Sequence, residues 1–278
     1  YERWPAEIRL TGVVRDFRAK DHSSKQGHPD FQNSSFNNGH RVGLVGDSLD
    51  SESKPEVANL LGQSLGSQFR DKFGRNIRPA LFDRTQGDVT GSLATASRAS
   101  LTSAERFREW YRDVPGVNMS FTHAVVLTRQ ANTNIYRFEQ NDNNSTSLRE
   151  GFFPADGKGF NDWHDNSDLR HNYGFTFELS TKFVYRAGTG QVFTFVGDDD
   201  VYVFINSRLA IDLGGVHGAI EQSIDLDRFA ARAGLVSGQE YPLHFFFAER
   251  HTTRSNCRIE TNLELRNADL PPVSAIMD

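Results

Sequence analysis

Two short apolar runs, Val192-Phe193-Thr194-Phe195-Val196 and Val201-Tyr202-Val203-Phe204-Ile205, are separated only by Gly197-Asp198-Asp199-Asp200. Runs so rich in β-branched and aromatic residues favour strands, and the segment between them leaves room only for a tight link. Asp is depleted in strands, and adjacent carboxylates repel one another. Three of them pinned between core strands therefore call for a cation. Calcium suits such a cluster, since it takes about six to eight hard oxygen ligands. Successive strand residues point to opposite faces, so two neighbouring aspartates share one ion only if the backbone leaves the extended form. A cis peptide between them, rare outside X–Pro bonds, is one such departure.

The rest of the chain continues the β pattern. Strands are expected at Ile8–Val14, 119–128, 134–138, Phe175–Leu179, Tyr241–Phe247 and Ile259–Leu265. Asn206-Ser207 reads as a tight turn that returns the chain through Leu209-Ala210-Ile211, and Ala187-Gly188-Thr189-Gly190 and Gly214-Gly215 are further breaks. Short strands with turn signals between them predict a mainly β chain, an antiparallel β-sandwich with long loops. The 22 Phe against 2 Met agree with aromatic-rich strands. One helix is predicted over 103–112, where Thr102-Ser103-Ala104-Glu105 has capping-box spacing and Phe107, Trp110 and Tyr111 share a face. Pro55 ahead of Glu56–Leu61 predicts a second, short helix. Residues 20–40 read as a long surface loop, 85–100 as a solvated excursion, and 141–145 and 151–172 as polar loops. The whole of 1–278 is expected to form one domain.

With 36 acidic and 31 basic residues, the formal charge of −5 gives no basic field for nucleic acid. No run approaches the ~18 consecutive apolar residues of a membrane span. Cys257 is alone, so no internal disulfide forms, and a secreted chain of this kind must be held by packing, with help from a metal. The chain starts at Tyr1-Glu2-Arg3-Trp4 and carries Pro271-Pro272 near its end, as expected of a piece of a longer protein. His164, His171, His244 and His251 show no H-x-x-x-H spacing, which argues against zinc. Asp156, Asp162, Asp165 and Asp168 could supply a glycosidase pair, but nothing in their spacing pairs any two across a cleft. Neither H-E-x-x-H nor G-x-x-x-x-G-K-[ST] is present, and no enzymatic activity is expected.

Several segments together resemble one family. Gly197–Asn206, Leu209–Gly218, Ser223–Asp227 and Phe245–Thr253, with Ser255-Asn256 after them, resemble the fibro-slime domain family on the protective-antigen-type β-sandwich of calcium-dependent lectins. Fainter similarities at Arg15-Asp16-Phe17, His28–Phe31, Val114–Asn118 and His171-Asn172-Tyr173 spread it along the chain, with the strongest part over 170–265. The resemblance implies calcium held by Asp198 and Asp199 through a cis-linked pair. It further implies ligands from the loop after the last long apolar strand, an Asn side chain plus carbonyls. Glu249 stands at that junction, with His251 and Thr253 as carbonyl donors. Asp200 occupies a position where related domains often have glycine, and its role is left open.

For each of these residues a plainer role stands beside the sharper one. Asp198 and Asp199 could cap a turn, and Asp212 before Gly214-Gly215 is ordinary turn chemistry. His217 could line the site or hold the glycine loop, and Glu249 could simply pair with Arg250. Trp163 could stack on a sugar or anchor its loop to the core. The ligand-contacting set is accordingly Asp198, Asp199, Asp200, His217 and Trp163. The resemblance implies a secreted or cell-surface adhesion module that binds glycan or matrix polysaccharide through calcium, part of a larger adhesin or pilus assembly. The alternative is a calcium-stapled structural or self-assembling domain that binds no sugar.

Overall fold

The apolar runs become antiparallel strands in the computed structural model, which describes residues 4–21, 26–36, 39–140, 151–160, 171–252 and 254–267, although the strand expected over Ile259–Leu265 ends at Thr261. In chain order the strands are Glu7–Phe17 (β1), Arg41–Val42 (β2), Gln63–Ser67 (β3), Phe69–Arg70 (β4), Asn76–Ile77 (β5), Ser92–Thr95 (β6), Asn118–Arg129 (β7) and Tyr136–Gln140 (β8). They continue with Phe175–Val184 (β9), Val192–Gly197 (β10), Asp200–Ile205 (β11), Arg208–Leu213 (β12), Ile220–Asp225 (β13), Glu240–Glu249 (β14), Cys257–Thr261 (β15) and Arg266–Asn267 (β16). Eleven of them form one sheet in the order β12-β11-β14-β9-β1-β7-β8-β15-β10-β13, with β16 pairing β9. The path begins and ends on consecutive strands, and Asp212 N on β12 donates to Gln222 Oε1 on β13 at 2.8 Å. The sheet thus curls back on itself into two layers, as expected of a β-sandwich.

Alternation assigns the two faces. Val201, Val203 and Ile205 of β11 and Leu243, Phe245 and Phe247 of β14 point into the main core, with Phe177, Phe193, Phe195 and Ile259. Tyr202, Phe204, Phe246 and Ala248, one residue out of phase, are equally buried but face outward. An outer cover drawn from residues 28–111 shields them, through Phe31, Leu44, Val45, Leu101, Phe107, Trp110 and Tyr111. Strands buried on both sides read as unbroken apolar runs, as β11 does. Each fully buried Phe contributes roughly 1.5–3 kcal/mol.

The cover departs from the sequence expectations. Residues 26–36 and 39–40 are not a surface loop: His28, Asp30 and Phe31 are buried, and Phe31 stacks on Phe17 with ring centroids 4.4 Å apart. Residues 56–61 are not helical. Val57 bridges Val45, Ala58 N donates to Leu44 O, and Asn59 Oδ1 accepts from Leu61 N, so extended pairing and an Asx turn take the groups a helix would need. The 103–112 helix forms as Ala104–Arg108 (α1) followed by a 3-10 turn over Glu109–Tyr111. Its N-cap is Ser103, which accepts from Arg106 N, rather than Thr102. A second helix, Leu226–Ala233 (α2), was not anticipated, although Asp225 caps its first turn and Gly234 ends it in the left-handed region at φ 65°. Its signals are short and sit next to a β run, which is why the strand pattern masked them.

Candidate cation site

Three links cross between the layers at the same end of the sandwich. Asp198-Asp199 joins β10 to β11, residues 214–219 join β12 to β13, and residues 250–256 join β14 to β15. Gly197 is demanded by close approach, since a Cβ there would lie 2.2 Å from the Asn256 carbonyl oxygen. The Asp198–Asp199 peptide is cis. Both carboxylates line an open cleft of about 180 Å³, whose other walls are Val216, His217 and Gly218 on one side and His251, Thr252 and Arg254 on the other.

Neutral donors hold the pair. Asp198 Oδ1 accepts from Asn256 N at 2.6 Å and its Oδ2 from Asn256 Nδ2 at 2.7 Å. Asp199 Oδ1 accepts from His217 N and its Oδ2 from Arg250 N, both at 3.1 Å. Glu249 is fully buried beside them. Its Oε1 accepts from His251 N at 3.3 Å, and its Oε2 has no hydrogen-bond partner. Burial pushes the Asp198 carboxyl up to about 6, against the hydrogen bonds from Asn256 and the charge of Arg254. Burial first, then the charge of Asp198, pushes Asp199 well above the usual carboxylate range, with Arg250 opposing. Glu249 is raised well above its ordinary value by burial and then by Asp199 and Asp198. Three carboxylates thus repel one another in a largely dry place.

The donor chemistry suits a hard cation. The carboxylate oxygens at the cleft are hard donors, and one that accepts a single N–H keeps a second lone pair. Among the described residues, no three His, Cys, Asp or Glu side chains come together as a group that could hold a metal, and Asp198, Asp199 and Glu249 do not form one as folded. Carbonyl, amide or outside oxygens would have to complete any shell around Asp198, Asp199 and Glu249.

The structure sorts the remaining sequence candidates. Asp200 does not line the cleft. It is fully buried, and its Oδ1 accepts from Gly215 N at 2.7 Å and from the Tyr202 hydroxyl at 3.0 Å. Its Oδ2 takes Arg250 Nε at 2.6 Å, so the third aspartate has its own internal cation. Glu249 does not simply pair with Arg250, as the plainer reading held. His217 and His251 both border the cleft, each ring Nδ1 facing a neighbouring carbonyl, Gly218 O at 2.8 Å and Thr252 O at 2.7 Å. Asp212 lies away from the cleft, accepting from Gly43 N at 2.8 Å, with Arg78 Nε 4.0 Å off; burial pushes its carboxyl up to about 6. Trp163 and Thr253 lie outside the described residues, as do Asp162, His164, Asp165 and Asp168.

Two residues of the site escaped the sequence reading. Asn256 holds Asp198 from the loop after the long apolar strand, seven positions beyond Glu249; the Ser255-Asn256 pair was its only signal. Arg250 looked like half of a surface pair and is instead fully buried. A further motif, Gly62-Gln63-Ser64-Leu65-Gly66, has G-x-S-x-G spacing. It runs along strand β3, paired with β2 and β6, and is not a strand-to-helix elbow.

Residues 129–275, which contain every residue lining the cleft, match the PA14 domain family. The chain belongs to that family. The PA14 match begins at the end of β7, so β1, most of β7 and the outer cover precede it, although β1 and β7 stand in the same sheet as the matched strands. Among curated proteins, this PA14 chain is similar to Protein psiQ of Dictyostelium discoideum, 37% identical over 188 residues, 64% of this chain and 18% of that protein. It is also similar to Protein psiH of the same organism, 32% identical over 245 residues, 86% of this chain and 29% of that protein. The chain spans less than a third of the length of these relatives. Among solved structures, the PA14 domain of the MpAFP antifreeze protein aligns with a TM-score of 0.26 and 9% identity, covering 39% of this chain and 60% of that one. The PA14 sugar-binding domain from an RTX adhesin aligns with a TM-score of 0.22 and 16% identity, covering 36% and 50%.

Proposed function

We propose that this PA14 domain, of the fibro-slime branch, is a secreted or surface-displayed adhesion module that binds carbohydrate through calcium. Asp198, Asp199 and Glu249 would hold the ion, with carbonyls of the 249–253 loop and the Asn256 amide oxygen as further donors. The bound calcium would present open positions to neighbouring sugar hydroxyls, and the partner would be a glycan or matrix polysaccharide met by a larger adhesin. One observation carries the reading: two buried, mutually repelling carboxylates, Asp198 and Asp199, open onto a cleft with a third, Glu249, buried behind them, and among the described residues no cationic side chain is hydrogen-bonded to any of the three. A hard divalent cation relieves that repulsion, and no catalytic role is assigned to the cluster.

A second reading has its own support. The cleft of about 180 Å³ is smaller than the ~300 Å³ at which small-molecule pockets usually begin, which favours an ion acting as a staple between three loops. Glycan-array binding in calcium and in chelator, run beside thermal melts in both buffers, separates the two. Sugar binding that chelator abolishes supports the lectin. Melting that chelator lowers, with no glycan retained in either buffer, leaves the staple; no change in either measurement removes calcium from the account.

A further inference from the structure

Arg250 is the point where the outer cover meets the candidate site. Its backbone N donates to Asp199 Oδ2 at 3.1 Å and its Nε to Asp200 Oδ2 at 2.6 Å. Its Nη1 donates to Ser100 O at 2.9 Å, and its carbonyl accepts from Gln32 N at 2.7 Å. The guanidinium lies over the Trp110 ring, 4.9 Å from the centroid, and the whole residue is buried. Asp200, its carboxylate partner, also receives Gly215 N, two residues before His217. The two N–H groups that orient Asp199, from His217 and from Arg250, therefore both hang on the Asp200–Arg250 pair.

We infer that Arg250 is a positioning residue that fixes the Asp199 carboxylate for its cation from the outer cover; this rests on the calcium reading above. The pair also explains why a third aspartate is tolerated beside the first two: its charge is spent on setting them. A planar fork that bridges Asp200 and Ser100 while lying on an indole is not reproduced by an ammonium group. Outer partners of this kind typically change metal affinity by about 10–100-fold when altered.

The test is calcium titration by calorimetry on the full chain, with the melting temperature of each variant in EGTA as a separate readout. Arg250→Lys keeps the charge and is expected to weaken calcium binding by about tenfold or more. Tyr202→Phe removes only the hydroxyl bonded to Asp200 and is expected to give a smaller loss with little change in the EGTA melt. A merely structural Arg250 would lower the EGTA melt and leave the affinity of the folded protein unchanged, and that result overturns the inference. Should Arg250→Lys not fold, wild-type affinity in Tyr202→Phe overturns it equally. Wild-type protein that takes up no calcium retires the calcium reading itself, whereas wild-type uptake with unaffected variants retires the role of Arg250 alone.

Discussion

Two groups of buried carboxylates in this molecule meet opposite fates. Glu178, on β9, accepts from Arg15 Nη1 at 2.8 Å and from Lys54 Nζ, and Arg15 also holds Asp113 at 2.8 Å. Two cations and two anions close that group without outside help. At the end of the sandwich, Asp198 and Asp199 accept from amide N–H groups and Glu249 from His251 N, the buried guanidinium of Arg250 is committed to Asp200, and Arg254 lines the cleft without a hydrogen bond to any of the three among the described residues. Burial costs an unpaired charge several kcal/mol, so a chain that leaves three together beside a cleft leaves a place for something cationic. The first group is complete as folded. The second, on the reading proposed above, is completed by a bound cation.

The largest expected effect breaks the first group. Glu178→Gln removes the charge that pairs Lys54 and one of the two carboxylates that hold Arg15, and removing one member of a buried pair costs about 3–5 kcal/mol. Denaturant unfolding should show that loss equally in calcium and in chelator. A loss that depends on calcium would mean that the two groups communicate.

Asp199→Asn acts on the second group and should behave in the opposite way. An ion present at a hundred times its dissociation constant stabilises the folded state by about 2.7 kcal/mol. The variant should forfeit that increment in calcium yet lose nothing in chelator, where removing one of three repelling charges offsets the change in hydrogen bonding. Equal losses in both buffers would show that Asp199 serves as a cap on the His217 and Arg250 amides.

The same contrast explains what the sequence made legible. Local pattern was enough for the main strands, because Phe175–Leu179, Val192–Val196 and Val201–Ile205 each carry their own periodicity and flanking turns. The acidic residues between apolar runs pointed to the candidate cleft, which Asp198 and Asp199 line, since charge in that context has few uses. Pattern failed where the partner lies far along the chain. Phe31 looks like a loop residue until Phe17 stacks on it, and Pro55–Leu61 looks helical until Leu44 and Val45 take its backbone. Asp200 is indistinguishable from Asp198 and Asp199 by sequence; only the fifty-residue return of Arg250 separates a frame residue from two cleft residues. Glu178 shows the same limit, for neither Arg15 nor Lys54 is near it in sequence.

The smallest expected effect is a pH dependence that appears in chelator and is suppressed in calcium. Asp198 has its folded carboxyl pushed up to about 6 by burial, above the ordinary carboxylate value, and Asp199 and Glu249 are raised as well. A carboxyl raised by folding penalises the folded state once it must ionise; the penalty is absent below the unfolded value and is fully present above the folded one. In chelator, stability should therefore rise as pH falls from 7.5 toward 5.5, by a few degrees in melting temperature, since ~1 kcal/mol corresponds to about 2–4 °C for a domain of this size. In calcium the trend should flatten, because the bound ion keeps these carboxyls ionised, so that neither the folded nor the unfolded chain takes up protons over that interval, while affinity drops as protons compete for the same oxygens. Glu178→Gln should leave the difference between the buffers in place, whereas Asp199→Asn should shrink it. An equal rise in both buffers would mean that the titrating group is elsewhere, Asp212 being the alternative whose carboxyl is also held at about 6.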